Sequence, residues 1–114
     1  MDSRTRSGFL AVQFERLVEG HETTHTLILL SEVARLTLTR HGNVVSCICE
    51  LHEPTEEGLE ALRRRGALED TFMISPKLAP REFGLWLERL LVDDLGADPD
   101  SDVDVLELEL EPAF

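Results

Sequence analysis

The apolar residues near the start of the chain fit a helix and also a strand. Leu10 and Phe14 lie on one helical face, but together with Val12 they also alternate as a strand would. We favour a helix between Ser7 and Gly20, because Ser7 can cap its start and Gly20 can end it in a left-handed conformation. The first predicted element is therefore an N-terminal helix, with a strand as the alternative.

The next three apolar segments are rich in β-branched and aliphatic residues and are separated by short polar breaks. They cover residues 24–30, 34–40 and 44–51. This pattern predicts a three-stranded antiparallel meander. At the second break, Gly42 and Asn43 both tolerate the positive φ that a tight hairpin demands. Alternation along the strands predicts one core face and one partly wet face.

Two further helices are predicted in the second half of the chain. Thr55 can cap the first, which has acidic residues at its start and three arginines before Gly66, as the helix dipole favours. The second begins at Pro80, which suits the first helical position, and ends at Gly96. Its apolar stripe consists of Phe83, Trp86, Leu87, Leu90 and Leu91. Residues 68–74, between the helices, fit a short strand or an irregular connection.

The end of the chain alternates between leucine and glutamate. The alternating residues are Leu106, Glu107, Leu108, Glu109, Leu110 and Glu111. This pattern predicts a half-buried strand with its leucines toward the core and an acidic outer face. The elements together predict one α+β domain over residues 1–114: an N-terminal helix (or strand), a three-stranded antiparallel meander, two helices and a C-terminal acidic strand.

The charge of the chain is strongly negative and unevenly distributed. The formal net charge is −12, and residues 90–114 contain nine carboxylates and no lysine or arginine. Such a field disfavours direct binding to nucleic acid phosphates and favours a basic protein surface. The predicted partner-binding residues are Asp98, Asp100, Asp102, Asp104, Glu107, Glu109 and Glu111. The three glutamates would lie about 7 Å apart along one strand face.

These features predict a non-catalytic binding module whose acidic surface docks on a basic partner protein. Inhibitors, immunity proteins and chaperone-like proteins use such complementary charge to speed encounter and fix orientation. An alternative is a homodimeric structural subunit that pairs through the exposed face of the meander or through the helix that carries Trp86. A further alternative is that the charge only keeps a small protein in solution.

A short histidine motif suggests a different class of function. His21, Glu22 and His25 match the HExxH pattern, which resembles the zincin metalloprotease motif. That resemblance implies a zinc-dependent hydrolase in which two histidines on a helix bind the metal and the glutamate activates a water. The segment follows Gly20 and is rich in threonine, which favours a loop entering a strand over the required helix. We therefore predict no metal site and no cofactor.

The acidic segment also has the spacing of a calcium loop. Residues 98–109 resemble an EF-hand loop in the positions of their acidic oxygens. They depart from it at Val103, where the EF-hand loop has glycine, and at the exit, which alternates like a strand instead of opening a helix. A solvated acidic loop is the favoured interpretation.

The two cysteines and the apolar runs bear on the location of the protein. Cys47 and Cys49 share one strand face and are expected to be small buried thiols in a reducing compartment, with His52 on the opposite face. The longest aliphatic run, residues 27–30, is far shorter than the roughly 20 residues that a membrane span needs. No secretory signal is apparent at the N-terminus. We expect a cytoplasmic protein without a membrane segment.

Overall fold

The structure is a computed structural model that describes residues 3–19 and 25–109. Its elements in chain order are α1 (Ser3–Glu19), β1 (His25–Leu30), β2 (Ala34–His41), β3 (Val44–Leu51), α2 (Glu56–Arg64), β4 (Thr71–Ile74), α3 (Pro80–Arg89), a π-helical turn (Leu90–Asp94) and β5 (Asp104–Glu109). The mixed α+β class is confirmed, with an N-terminal helix, an antiparallel sheet and further helices. None of the helices in these two ranges is long and apolar enough to cross a membrane.

The strands form one five-stranded antiparallel sheet in the order β4-β3-β2-β1-β5. Strands β1, β2 and β3 lie next to one another in chain order, as in the predicted meander. Strand β4 continues the meander beyond β3, whereas β5 returns to the other side and pairs with β1. The C-terminal strand therefore lies at an edge of the sheet.

The core lies between one face of the sheet and the three α-helices. Leu27, Leu36 and Cys47 are among the buried residues on this sheet face, and they join Leu10 of α1 and Leu62 of α2 in one hydrophobic cluster. Burial of such side chains is the main favourable term in folding. The helices therefore cover the sheet on one side.

Helices α1 and α3 pack closely against each other beneath the sheet. The rings of Phe14 and Phe83 stack with centroids 4.3 Å apart. Gly84 permits the close approach, because a Cβ atom at this position would lie 2.2 Å from the backbone oxygen of Ser7. Trp86 is half-buried and packs edge-on against Phe72 of β4, with ring centroids 4.9 Å apart.

Several predicted helix and turn signals are confirmed. The Thr55 hydroxyl accepts a hydrogen bond of 3.0 Å from the amide of Gly58, which is the predicted cap of α2. Pro80 occupies the first position of α3. Gly96 adopts a φ of 77° after the last helical turn, as expected for a glycine that ends a helix.

The start of α1 differs from its prediction. The helix already includes Ser3, so Ser7 is an internal residue and not the cap. The physical reason is that Arg6 is buried and belongs to the core-facing side of the helix, although its charge suggests a surface position. Gly20, the predicted end, lies outside the described residues.

The last turn of the helix that begins at Pro80 differs in its geometry from the prediction, and one turn residue of the β2–β3 hairpin differs in its conformation. The α-helix ends at Arg89 and continues as a π-helical turn, in which the Leu95 amide donates to the Leu90 oxygen at 3.0 Å. In the β2–β3 hairpin only Gly42 has a positive φ, of 58°. The prediction that Asn43 would share this conformation is wrong, because a single left-handed residue closes the turn.

The predicted alternation of β5 is wrong where the structure describes it. Val103, just before the strand, is only 4% exposed and Val105 packs against the core, whereas Leu106 is 51% exposed. This segment contains two alternating apolar series, the valines Val103 and Val105 and the leucines that begin at Leu106. The valines face the core. A shift of one residue exchanges the two faces of a strand, so the leucines are not the inward series at Leu106.

The sheet face opposite the helices is partly apolar. Leu106 of β5 lies on this face, as do Val44 of β3, 38% exposed, and Met73 of β4, 67% exposed. The central strand β2 contributes half-buried Thr37 and Thr39 to it. This face will be called the open sheet face.

Candidate functional site

The acidic segment between the π-helical turn and β5 is an ordered loop. Residues 98–102, called here the acidic loop, lie between two buried apolar residues, Ala97 and Val103. The Ala97 amide donates to the Leu91 oxygen at 2.8 Å, which fixes the entry of the loop. The exit passes directly into β5, whose first residue is Asp104.

Hydrogen bonds within the acidic loop define its shape. The Asp98 carboxylate accepts from the Asp100 amide at 2.9 Å, an arrangement typical of an Asx turn. The Asp98 carbonyl accepts from both the amide and the hydroxyl of Ser101, at 3.0 and 2.7 Å. The loop backbone therefore has internal partners as well as anchors at both ends.

The acidic loop is joined to the turn between β1 and β2 through Glu32. The Glu32 carboxylate accepts from the Asp98 amide at 3.1 Å. That turn is itself well defined, because the Ser31 hydroxyl accepts from the Ala34 amide at 3.0 Å and donates to the Ala34 oxygen at 2.9 Å. Two hydrogen-bonded turns thus support each other at one end of the sheet.

The guanidinium of Arg6 lies beneath the acidic loop, and the residue is only 1% exposed. Its Nε and Nη2 donate to the two carboxylate oxygens of Glu88 in α3 at 2.6 and 2.7 Å. Its Nη1 donates to the carbonyls of Asp98 and Ser101 at 3.1 and 2.7 Å, and to the Ser101 hydroxyl at 3.0 Å. One side chain therefore connects α1, α3 and the acidic loop.

Electrostatics keep this buried guanidinium charged. The hydrogen bonds that Arg6 donates to Glu88 raise the pKa of Arg6 against the lowering effect of burial, and the nearby charges of Glu88, Asp98 and Asp100 raise it further. The carboxylate of Glu88 balances the positive charge of Arg6. Arg6 therefore does not neutralise the negative charge of the acidic loop.

The aspartates of the predicted contact set remain on the surface. Asp98, Asp100, Asp102 and Asp104 are all exposed. Their backbone is held in place, and they carry four carboxylates within seven consecutive positions. The structure therefore brings together the aspartate part of the predicted partner-binding residues.

The glutamates of the predicted contact set are in a different situation. Glu107 and Glu109 belong to β5, where the pairing register sets them opposite Leu27 and His25 of β1. Glu111 lies outside the described residues. A common acidic face of Glu107, Glu109 and Glu111 stays a prediction, and the surface that the structure describes is centred on the aspartates.

A cleft adjoins the acidic loop on the side of Glu32. Its volume is about 350 Å³, and it lies between the β1–β2 turn, the start of α2 and the end of the π-helical turn. Carboxylates and apolar side chains both line it: Glu32, Glu53, Glu57, Asp94, Val33, Leu51 and Leu95. Asp94 is paired with Arg65. Because Glu32 also bonds to Asp98, the cleft and the acidic loop form a continuous acidic surface.

The residues of the HExxH segment are only partly described. His21 and Glu22 lie outside the described residues, while His25 is the first residue of β1. The second histidine of the motif is thus in a strand and not in the helix that a zincin site uses. Within residues 3–19 and 25–109, no group of three histidine, cysteine, aspartate or glutamate residues is placed to hold a metal ion.

The two cysteines are free thiols buried in the core, as predicted. Burial raises the pKa of Cys49 to about 12, with smaller contributions from the charges of Asp70 and Glu50. Burial also raises the pKa of Cys47, which the neighbouring Cys49 raises further. His52 lies apart from them, with its Nε2 2.9 Å from the Ser31 oxygen. At neutral pH both cysteines are protonated and therefore poor metal ligands and nucleophiles.

Sequence reasoning missed the residues that support the acidic loop. Glu32 and Arg6 are far from the loop in the chain, and Arg6 is separated from its partner Glu88 by 82 positions. The one local signal is that Arg6 precedes Leu10 and Phe14 at intervals of four residues, on the same side of α1. An arginine in an apolar stripe is a candidate for a buried ion pair.

The fold and the site define a small α+β protein with one helix-covered sheet and an ordered acidic surface at one end. No known protein family, curated protein or solved structure matches the chain. Its function is therefore inferred from the residues themselves.

Proposed function

We propose that this protein is a non-catalytic binding module that docks on a basic surface of a partner protein. The contact is made by the acidic loop together with Asp104 and Glu32. Inhibitors, immunity proteins and chaperone-like proteins are the functional classes in which such docking is used. That Glu107, Glu109 and Glu111 also belong to the contact stays a prediction from the sequence.

The observation that carries this proposal is the combination of exposed carboxylates and a fixed backbone. Exposed charges attract a basic partner over a distance of about 8 Å at physiological ionic strength, which speeds encounter. A loop that is already ordered loses little conformational freedom on binding, so less of the interaction energy is spent on ordering it. Both properties suit a docking surface.

The adjacent cleft gives the proposed interface a place for one long basic side chain. Val33, Leu51 and Leu95 offer apolar walls for the aliphatic stem of a lysine or arginine. The carboxylates of Glu53 and Glu57 lie on the same cleft and suit its charged end. A basic side chain inserted here would fix the orientation of the partner.

The proposal is tested by affinity capture from the native cell with matched variants. The test variant combines Asp100→Asn, Asp102→Asn and Asp104→Asn. The control combines Glu15→Gln, Glu19→Gln and Glu82→Gln, which removes the same charge from exposed positions on α1 and α3. We expect wild type and the control to capture the same basic protein at low salt, and the test variant to lose most of it.

Two results would contradict the docking function. One is capture of the same protein in equal amounts by the test variant and the control. The other is loss of capture to the same extent in both variants, because net charge and not the acidic loop would then govern binding. High salt should release the partner from wild type if the attraction is largely electrostatic.

A second candidate function, a homodimeric structural subunit, is favoured by the open sheet face. Leu106, Val44 and Met73 expose apolar surface on several strands of this face, and exposed apolar surface is one feature of subunit contacts. Light scattering of wild type and of the double variant Met73→Lys, Leu106→Lys tests it. A homodimer predicts twice the monomer mass for wild type and the monomer mass for the variant, whereas a monomeric wild type at all concentrations contradicts it.

A further inference from the structure

The Arg6 side chain of α1 bonds both to α3 and to the acidic loop. We infer that Arg6 is a positioning residue for the docking surface: it sets the loop conformation that presents the aspartates to a partner. This inference rests on the proposed function for its biological meaning. Its structural content, the order of residues 98–102, can be tested without any partner.

The hydrogen bonds of Arg6 require a guanidinium group. The Nε and Nη2 atoms bind the Glu88 carboxylate, and Nη1 binds the backbone oxygens of Asp98 and Ser101 on the other side. Three nitrogens in one plane thus serve two partners in different directions. A lysine has a single nitrogen without this planar fork, so it cannot keep both sets of contacts.

The acidic loop needs such a support because its own charges repel one another. Asp98, Asp100 and Asp102 lie at alternate positions of a short loop, and like charges at close range favour its opening. The cation of Arg6 lies beneath them and bonds to the loop backbone, which offsets part of this repulsion. The loop can therefore be acidic and ordered at once.

This arrangement makes the docking surface depend on α1, an element that carries none of the predicted contact residues. Gly84 and the stacked Phe14 and Phe83 rings set the position of α1 against α3. That packing brings Arg6 within reach of both Glu88 and the acidic loop. Displacement of the first turns of α1 would release the loop while leaving the strands of the sheet paired.

The experiment compares Arg6→Lys and the double variant Arg6→Met, Glu88→Met with wild type by ¹⁵N relaxation. The double variant removes both buried charges together, so that neither is left unpaired. Arg16→Lys is the matched control, because Arg16 is an exposed arginine on the same helix. Amide signals of β1 and β2 report whether each variant retains the fold.

We expect the amide order parameters of Asp98, Asp100, Ser101 and Asp102 to be about 0.85 in wild type and in the control, and to fall below about 0.6 in both Arg6 variants. The order parameters of β1 and β2 should not change. If residues 98–102 stay as rigid in the folded Arg6→Lys variant as in wild type, Arg6 is not the positioning residue.

The same variants separate this inference from the proposed function. A mobile loop in Arg6→Lys with unchanged partner binding supports the role of Arg6 and contradicts docking through the loop. A rigid loop in Arg6→Lys, combined with loss of capture in the aspartate variant, contradicts the role of Arg6 and supports docking. A mobile loop with association at least about tenfold slower supports both.

Discussion

Arg6 and Glu88 form a bidentate ion pair in which both residues are buried. Removing one partner from such a pair leaves a buried charge, which costs about 3–5 kcal/mol, whereas replacing both by apolar residues costs much less. We expect Glu88→Met to lower the free energy of unfolding by about this amount. The double variant Arg6→Met, Glu88→Met should lose clearly less than the sum of the two single variants.

Denaturant unfolding of the four proteins gives this double-mutant cycle. The Asp98 and Ser101 carbonyls lose a donor in the double variant, so some destabilisation remains. Additive effects of the two single variants would show that Arg6 and Glu88 contribute to stability independently, which would contradict the ion pair between them.

The buried cysteines make stability depend on alkaline pH. Burial raises the pKa of Cys49 from the ordinary 9.0 to about 12. Below pH 9 the thiol is protonated in both states, so its contribution is fully present. Above pH 9 it ionises in the unfolded state only, so the free energy of unfolding falls as pH rises toward 12.

We expect the loss of stability between pH 8 and pH 10 to be about 1.4 kcal/mol smaller in Cys49→Ala than in wild type. Chemical denaturation at the two pH values measures both losses. Cys49→Ala also removes a buried sulfur, but that cost is present at both pH values and cancels in the comparison. Equal losses in wild type and variant would mean that the thiol is not shielded from solvent.

At the residue scale, the sequence predicts what depends on near neighbours. Thr55 as a cap and Gly96 as a helix end follow from local conformational preferences, and both are found. The contacts of Arg6 with Glu88 and Ser101 depend on how distant elements pack, which local patterns do not record. The aspartates of the candidate site were therefore predictable, and the residues that hold them in place were not.

The close packing of α1 against α3 depends on Gly84. An added Cβ would lie 2.2 Å from the Ser7 backbone oxygen, and backbone atoms cannot rotate away as a side chain can. We expect Gly84→Ala to lower the free energy of unfolding by about 1–3 kcal/mol or more, since overpacking forces the helices apart.

Gly8→Ala is the matched control on α1. No atom lies within 4 Å of the Cβ that this substitution would add. Because alanine restricts the unfolded chain more than glycine does, this variant should gain about 0.4–1 kcal/mol. Thermal unfolding compares the two variants, and similar effects in both would argue against a close contact at Gly84.

The inward residues of the β5 segment give a second prediction at the scale of elements. Val103 is 4% exposed, whereas Leu106 is 51% exposed. Val103→Ala should cost about 2 kcal/mol, because two buried methyl groups are lost. Leu106→Ala should cost less than about 1 kcal/mol, as is usual for surface changes. A larger loss of stability in Leu106→Ala than in Val103→Ala would contradict the inward position of the valines and favour the alternation predicted from the leucines.

Sequence patterns predict the bounds of the central strands better than they predict the inward side of β5. The bounds of β2 and β3 follow from β-branched runs between polar breaks, and their predicted ranges agree with the structure to within one residue. The inward side of β5 did not follow, because Val103 and Val105 compete with the leucines for the core. Packing against α-helices and neighbouring strands decides between two such series.

For the molecule as a whole, the acidic surface gathers parts of the chain that are distant in sequence. The β1–β2 turn supplies Glu32, the start of α2 supplies Glu57, and the acidic loop supplies Asp98. Composition alone predicts an acidic protein, but only the folded chain brings these carboxylates to one end of the sheet. A basic partner would meet this end first, since long-range attraction follows the summed field.

The most direct test of docking through the acidic loop is the association rate with the captured partner as a function of ionic strength. Stopped-flow mixing should compare three proteins. They are wild type, the test variant with Asp100→Asn, Asp102→Asn and Asp104→Asn, and the control with Glu15→Gln, Glu19→Gln and Glu82→Gln. We predict that wild type and control associate at least about tenfold faster at low salt than at high salt. The asparagine variant should associate slowly at low salt with a much weaker salt dependence. An Asp100→Asn, Asp102→Asn, Asp104→Asn variant that associates as fast as wild type, with the same salt dependence, would contradict docking through the acidic loop.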